Sequence, residues 1–355
     1  METKNDLPDV LAPTPLPFPA DWIQKHPRRV EETLSRMSVE DQIRCAIQLR
    51  GKQMQDFITL SPKANEVIRG LPPEEVYLLV KEVGFGDALP VLALMTEHQL
   101  QYGFDLEWWH KDRFLPERAL EWIDILDQCG DSHIMEWFET EDFEQKVVLL
   151  QALIKVYKQD EMTDSYEGVE DLEHFTPDGV YDIFFKASES KPLKATLMLL
   201  RHEDQALFYA LLEAVIWYPV TQTVEKAYRS RLSRTSERGI FDFEEAFEIY
   251  SRMDPESLKA SVPELSDFAY SEQLNIAPKF PLTSVESVPF FKDSVSLLEN
   301  PERIDTLCWE LIYLANKVMV ADQEDPSDLE VRKETLRKAL GYVNIGLELG
   351  ASGDP

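Results

Sequence analysis

The stretch LPPEEVYLLVKEVGFGDALPVLALMTEHQLQYGFDLEWWHKDRFLPERALEWIDIL, residues 71–126, decides the fold. One punctuation mark recurs in it: an apolar residue, a capping residue or proline, an acid, and then an apolar-periodic run. Leu71-Pro72-Pro73-Glu74, Met95-Thr96-Glu97 and Leu115-Pro116-Glu117 each read as a helix start. The cap or proline deals with amide groups that lack an intrahelical acceptor, and the acid suits the positive end of the helix dipole. Behind the marks, Val76, Leu79, Val80, Val83 and then Ala119, Trp122, Ile123, Leu126 recur at the spacing of one apolar helix face. Gly84-Phe85-Gly86 reads as a turn between helices.

The same mark appears further out, at Met37-Ser38-Val39-Glu40, Phe175-Thr176-Pro177-Asp178 and Met253-Asp254-Pro255-Glu256. Helical stripes are expected at Phe143, Val147, Leu150, Ile154, Tyr157, at Leu207, Ala210, Leu211, Ala214, at Phe243, Ala246, Phe247, Tyr250, and from Ile304 through Leu307, Cys308, Leu311 and Ala315 to Val318. Strand alternation is nearly absent. The best strand candidate is Val180–Phe185, but Thr176 as a cap with Pro177 and Asp178 in a first turn favours a helix there. The starts at 38, 72, 96 and 116 lie 34, 24 and 20 residues apart, a loose repeat of short helices. The expected fold is all-α: an irregular helical solenoid or superhelical bundle with a C-terminal helical pair, a plain helical bundle being the alternative.

At roughly 150 residues per domain, 355 residues make about two domains, and 44% hydrophobic residues exclude a fully disordered chain. The expected organisation is a Pro-rich extended arm (1–26), an N-terminal helical repeat domain (27–158), an acidic loop (159–175), a second helical region (176–260), an irregular linker (261–291) and the helical pair (292–355). Gly350 reads as a helix stop and Ser352-Gly353-Asp354-Pro355 as another start, so the natural protein is expected to continue. Lys and Arg number 36 against 66 Asp and Glu, a net charge of −30. That charge repels phosphate backbones and argues against nucleic-acid binding. Cys45, Cys129 and Cys308 are odd in number and far apart, as free thiols in a reducing cytosol would be. The N-terminus lacks the basic start and apolar run of a signal peptide, and no apolar run reaches the ~20 residues of a bilayer span. The chain is expected to be soluble and cytoplasmic.

The run 71–126, with FTPDGVYDIFF (175–185), RLSRTSERGIFDFEEAFEIYSRMDPE (231–256) and NKVMVADQ (316–323), resembles an uncharacterised bacterial family of large cytoplasmic proteins known only as a domain of unknown function. The resemblance covers most of 38–348 and implies no activity. Mainly over 38–157, the Leu-Pro-Pro-Glu-Glu units also resemble the N-terminal helical domain of MgtE-type magnesium transporters and flagellar motor switch armadillo units. That likeness implies a regulator in which divalent ions screen facing acidic helices.

Few residues stand out chemically. The six histidines form no HExxH pair, and no phosphate-binding or nucleophile-elbow motif is present. Lys226, Arg229, Arg231, Arg234 and Arg238 run against the overall charge. Arg229, Arg231, Arg234 and Arg238 are candidates for an anion or acidic-partner site, or else pair with the chain's own acids. Trp108 and Trp109, with Arg113, are a candidate interaction anchor, because neighbours ~100° apart on a helix cannot share one core stripe; the alternative wedges both between helices. Asp160, Glu161, Asp164, Glu170 and Asp171 of the acidic loop are the candidate metal ligands, without EF-hand spacing. No cofactor is expected, Mg²⁺ being the alternative. The sequence points to a non-catalytic interaction or regulatory protein with a protein partner or a second copy. It points away from nucleic acid and membrane insertion, with a Mg²⁺-responsive regulator and an enzyme of unknown class as alternatives.

Overall fold

Ser38 and Thr96 cap helices as their positions predict. Ser38 Oγ accepts the Asp41 N–H at 3.0 Å; Thr96 Oγ1 accepts the Gln99 N–H at 3.2 Å, and Gln99 Oε1 accepts the Thr96 N–H at 3.0 Å, closing a capping box. A computed structural model of the chain describes residues 16–140, 142–159, 168–169, 171–186, 191–252, 276–282, 288–298 and 300–351. Helix takes 68% of it and strand 5%, so the class is helical while two small sheets interrupt it. The Met253 helix start, most of the expected linker, and Ser352–Pro355 lie outside the described residues.

In chain order the helices are α1 (Trp22–Lys25), α2 (Pro27–Arg36), α3 (Val39–Ala46), α4 (Gly51–Thr59), α5 (Ala64–Gly70), α6 (Pro73–Val83), α7 (Leu89–Leu92), α8 (Glu97–Glu107), α9 (Pro116–Asp127), α10 (Asp131–Phe138), α11 (Phe143–Leu153), α12 (Lys191–Glu203), α13 (Gln205–Trp217) and α14 (Val220–Ser236). After them come α15 (Phe243–Phe247), continued by a 3₁₀ turn over Glu248–Tyr250, then α16 (Pro289–Ser296), α17 (Pro301–Ala321) and α18 (Leu329–Gly350). They fall into two units: Met1–Gly84 with Leu232–Pro355, and Phe85–Arg231.

In the first unit, the periodic stripe of α17 supplies Ile304, Cys308, Leu311 and Ala315 to a core shared with Phe291 and Val295 of α16 and Leu336, Ala339 and Leu340 of α18. The short segment 276–282 adds Ala277 and Leu282. Helix α15 packs on α17 with Ala246 as its one buried residue. Phe243, Phe247 and Tyr250, expected on a core-facing stripe, are exposed instead. The turn before α15 depends on Gly239, whose φ is +82° and whose hydrogen faces the backbone carbonyl of Tyr313.

In the second unit, α8 stops at Glu107 and the chain enters a hairpin of β1 (Trp109–His110) and β2 (Arg113–Phe114), with Lys111 at φ 56° in its turn. The other sheet has strand order β3 (Ile154–Lys158), β5 (Tyr181–Phe185), β4 (His174–Phe175), all antiparallel, with Ile154 opposite Phe185 and Lys158 opposite Tyr181. Two expectations are corrected here. The helical stripe from Phe143 ends at Leu153, and Ile154 and Tyr157 belong to a strand. Thr176, Pro177 and Asp178 do not start a helix. Asp178 Oδ1 accepts the N–H groups of Val180 (2.8 Å) and Tyr181 (3.1 Å), and Gly179 takes φ +76°, so the capping chemistry closes a turn into β5. All five β5 residues are buried, so the strand shows no alternation to read.

Replacing Gly239 by alanine would force a left-handed φ on a residue with a Cβ and push that Cβ into Tyr313. The expected cost is about 3 kcal/mol or more, read as a lowered denaturation midpoint.

Candidate functional site

The acids of Pro72-Pro73-Glu74-Glu75 sit in the first turn of α6, yet both are fully buried. Glu75 Oε2 accepts from Arg50 Nη1 at 2.6 Å, while its Oε1 accepts the backbone N–H groups of Lys279 (2.6 Å) and Phe280 (3.2 Å). Lys279, buried itself, donates through Nζ to Asp305 on α17, with the Cys308 Sγ 3.9 Å away. Glu74 pairs with Arg238, whose carbonyl accepts from Asn316 Nδ2 at 2.8 Å. Burial, reinforced by the charges of Asp305 and Glu75 against an opposing Lys279, pushes the Cys308 thiol up to about 12. Burial likewise holds Cys45 at about 11, so these two thiols are protonated at neutral pH. The cluster joins residues far apart in sequence by closely paired charges. Its groups are turned toward one another inside the first unit, which is the arrangement of a structural tie.

The four candidate arginines are not brought together. Arg229 is exposed and pairs with Glu225 one turn back, at 2.7 Å. Arg231 is buried: its Nε donates to the Asp105 carbonyl at 2.6 Å, its Nη1 to the Lys111 carbonyl at 3.3 Å, and its guanidinium lies 6.0 Å from the Trp109 ring. Arg234 is half-buried, and Arg238 is held by Glu74. Arg229 and Arg238 pair with acids of the chain, Glu225 and Glu74, whereas Arg231 is held by two backbone carbonyls.

Trp108 and Trp109 are both buried. Because the helix ends between Glu107 and Trp109, the ~100° constraint does not apply, and the hairpin turns the second indole inward. Trp108 stacks on Phe104 at 4.0 Å and meets Trp137 edge-on at 5.4 Å; Trp109 meets Phe114 at 5.3 Å. Arg113 is exposed on the hairpin. Of the acidic-loop candidates, Asp160, Glu161, Asp164 and Glu170 lie outside the described residues, and Asp171 is exposed. Among the described residues no group of three or more His, Cys, Asp or Glu stands close enough to hold a metal, and no helix is long and apolar enough to cross a membrane.

Two further polar arrangements escaped sequence reasoning. Lys146 is buried with Nζ on the Thr140 carbonyl and 5.8 Å from the Trp137 ring; burial lowers its pKa to about 8 against the opposing pull of Asp142. Glu213 on α13 accepts from Lys158 at 2.7 Å, from Tyr181 Oη, and from Trp217 Nε1 at 2.8 Å. Those bonds, led by Lys158, hold its carboxyl at about 2. Beside it begins a surface: Trp217 is 70% exposed, with Tyr218 and Val220 also exposed. Next along the chain is an open cavity of about 270 Å³ lined by Asp112, Val220, Thr221, Val224, Glu225 and Tyr228.

A second surface lies on the first unit. Phe243 and Phe247 rings stand 5.5 Å apart and Phe247 and Tyr250 6.0 Å apart. Tyr250 Oη donates to Asp322 Oδ1 at 2.8 Å, and Lys338 Nζ lies 5.7 Å from the Tyr250 ring and 5.9 Å from the Tyr342 ring. Ile345 and Leu349 continue the exposed line along α18.

These features define a mostly helical protein with a buried charge cluster around Glu74 and Glu75, partly exposed ones at Glu213 and Asp322, and exposed aromatic side chains. A family model described as a family of unknown function (DUF6178) matches residues 31–355, and the chain belongs to that family. Comparison with curated proteins and with solved structures returned no match.

Glu75→Ala would strand the Arg50 guanidinium and two buried amides, at an expected cost of about 3–5 kcal/mol. Arg231→Ala should cost about 1–3 kcal/mol through the two carbonyls it leaves, and Arg229→Ala within about 0.5 kcal/mol. Urea denaturation of the three variants checks the order. The Glu213 carboxyl is depressed in the folded state, so its stabilisation is present above the ordinary carboxylate range near 4.5 and is lost as pH falls toward about 2. Between those values Glu213→Gln should show a shallower loss of melting temperature with acidification than the native chain.

Proposed function

We propose that this chain is a non-catalytic cytoplasmic protein that works by binding other proteins, in an interaction or regulatory role. The observation that supports it best is how its exposed large apolar side chains are distributed. Most are grouped: Trp217, Tyr218 and Val220 on one unit, and Phe243, Phe247, Tyr250, Tyr342, Ile345 and Leu349 on the other, while Val180, Met198 and Leu297 stand outside these groups. Scattered apolar residues on a surface are ordinary, whereas contiguous ones, aromatic above all, mark contact sites. In this reading the short capped helices form an irregular array, and the last two long helices, α17 and α18, act as a pair whose distal end carries part of the contact surface. Electrostatics tune the contact, since a chain of net charge −30 is repelled by most acidic cytoplasmic proteins.

The test is quantitative capture from an extract of the source cell, with the native chain, Phe247→Ser and Trp217→Ser as baits at low and high salt. Both substitutions fall on exposed rings and leave net charge unchanged. The expected result is a stoichiometric partner held by the native bait and lost from at least one variant. A capture profile identical for all three baits would overturn the reading.

A further inference from the structure

We infer that the aromatic line of the first unit is a docking face for a basic amphipathic segment of a partner protein, one that places apolar residues on the rings and lysines or arginines around them. The inference rests on the interaction reading above and names the surface and the chemistry of what it takes.

The face is built in two parts. Over 242–250, in DFEEAFEIY, Ala246 is buried where α15 meets α17 and Ile249 is half-buried, the other seven residues being exposed. Phe243, Phe247 and Tyr250 therefore project outward at i, i+4 and i+7, with neighbouring rings in contact at 5.5 and 6.0 Å. This is the spacing with which a helix would normally bury its apolar side, presented here to the outside. The second part is Tyr342, Ile345 and Leu349 of α18, at i, i+3 and i+7. Lys338 joins the two. Its ammonium lies against both the Tyr250 and Tyr342 rings and is held by Asp322 Oδ2 at 2.5 Å, while Tyr250 Oη is held by Asp322 Oδ1. The rings at the junction are thus fixed before any partner arrives, which lowers the ordering cost of binding.

The charge around the rings selects the occupant. Asp242, Glu244, Glu245 and Glu248 are all exposed on the same nine residues, and no Lys or Arg falls among them. Asp242 is occupied as the cap of α15, accepting the Glu245 N–H. The side chains of Glu244, Glu245 and Glu248 make no hydrogen bond or ion pair with the described residues. Some acids on exposed helix faces pair within a turn, as Glu225 does with Arg229 and Glu40 with Arg44. Three carboxylates with no hydrogen bond or ion pair to the described residues, beside three exposed rings, favour a partner that supplies both cation and apolar surface. An acidic or neutral apolar segment would meet repulsion or leave these charges without complement. Each ring face also offers a seat for a lysine or arginine head group.

The experiment uses the full chain and fluorescence anisotropy with a labelled amphipathic leucine–lysine peptide, and with a leucine–glutamate peptide of the same apolar pattern. The leucine–lysine peptide should bind and the leucine–glutamate peptide should not. Phe247→Ser and Phe243→Ser, each with unchanged net charge and melting temperature, should weaken binding about tenfold. The pair Glu244→Gln with Glu248→Gln should weaken it and flatten its salt dependence, while Trp217→Ser on the other unit should leave it unchanged. Native affinity in both phenylalanine variants would overturn the inference, since it would mean attachment to the acidic chain at large. Equal binding of the two peptides would overturn it as well, and so would no binding. Phe247-dependent self-association in sedimentation would assign the face to a second copy instead. If these peptide results fail while capture from extract still depends on Trp217, the interaction reading stands and only this face is lost; if that dependence is also absent, both fall.

Discussion

A single carboxylate carries much of the first unit. Glu75, with no exposed surface, accepts one guanidinium hydrogen from Arg50 and two backbone amides at Lys279 and Phe280. A charge taken out of water is tolerated only when several donors replace its hydration, and these three come from two segments far from α6 in sequence. The segment 276–282 has prolines at 278 and 281 and only one 3₁₀ turn, at 280–282, so the Lys279 and Phe280 amides need an acceptor from elsewhere. Glu75 supplies it, and the side chain of Lys279 then reaches Asp305 on α17. Segments near residues 50, 75, 280 and 305 are registered on one another by charge, and the apolar cluster around Cys308 closes over that registration.

The second unit is organised by aromatic rings. Phe104 takes Trp108 on its face and Trp122 and Trp137 edge-on, each at 5.3 Å. At roughly 25 cal/mol per Å² and 150–250 Å² per ring, each such side chain contributes about 4–6 kcal/mol before entropic costs. The helix must therefore stop where it does. Had α8 continued past Glu107, Trp109 would have pointed about 100° away from Trp108 and out of the cluster. Lys111 in a left-handed conformation and Arg231 on two carbonyls hold the hairpin that prevents this.

Local rules made the helix starts legible. Ser38 and Thr96 cap because the chemistry is contained within four residues, and the stripe from Ile304 to Ala315 is buried because a long helix offers one apolar side. What escaped depended on partners remote in sequence. Asp178 uses the same short carboxylate that caps a helix to close a turn, and only the pairing of β5 with β3, some thirty residues back, decides between them. Arg229 and Arg231 are two residues apart and look alike in the sequence, yet one pairs locally in water and the other is committed to Asp105, across 126 residues. Glu74 and Glu75 read as dipole partners at a helix start, which is true of their position and silent about their burial.

The same distinction separates a core stripe from an exposed one. Phe243, Phe247 and Tyr250 have the spacing of Ile304, Cys308 and Leu311, and no count of spacings tells them apart. What differs is the residue that faces the neighbouring helix: α15 approaches α17 through the small side chain of Ala246, and the larger rings are left on the far side. Composition carries a trace of this. Between its apolar members the α17 stripe holds acids and a few bases, whereas 242–250 alternates rings with carboxylates and has no base at all. A helix that buried those rings would crowd like charges around a dry seam with nothing to neutralise them. A helix that exposes them keeps the carboxylates in water and leaves an acidic aromatic face, stable alone and complementary to a basic one.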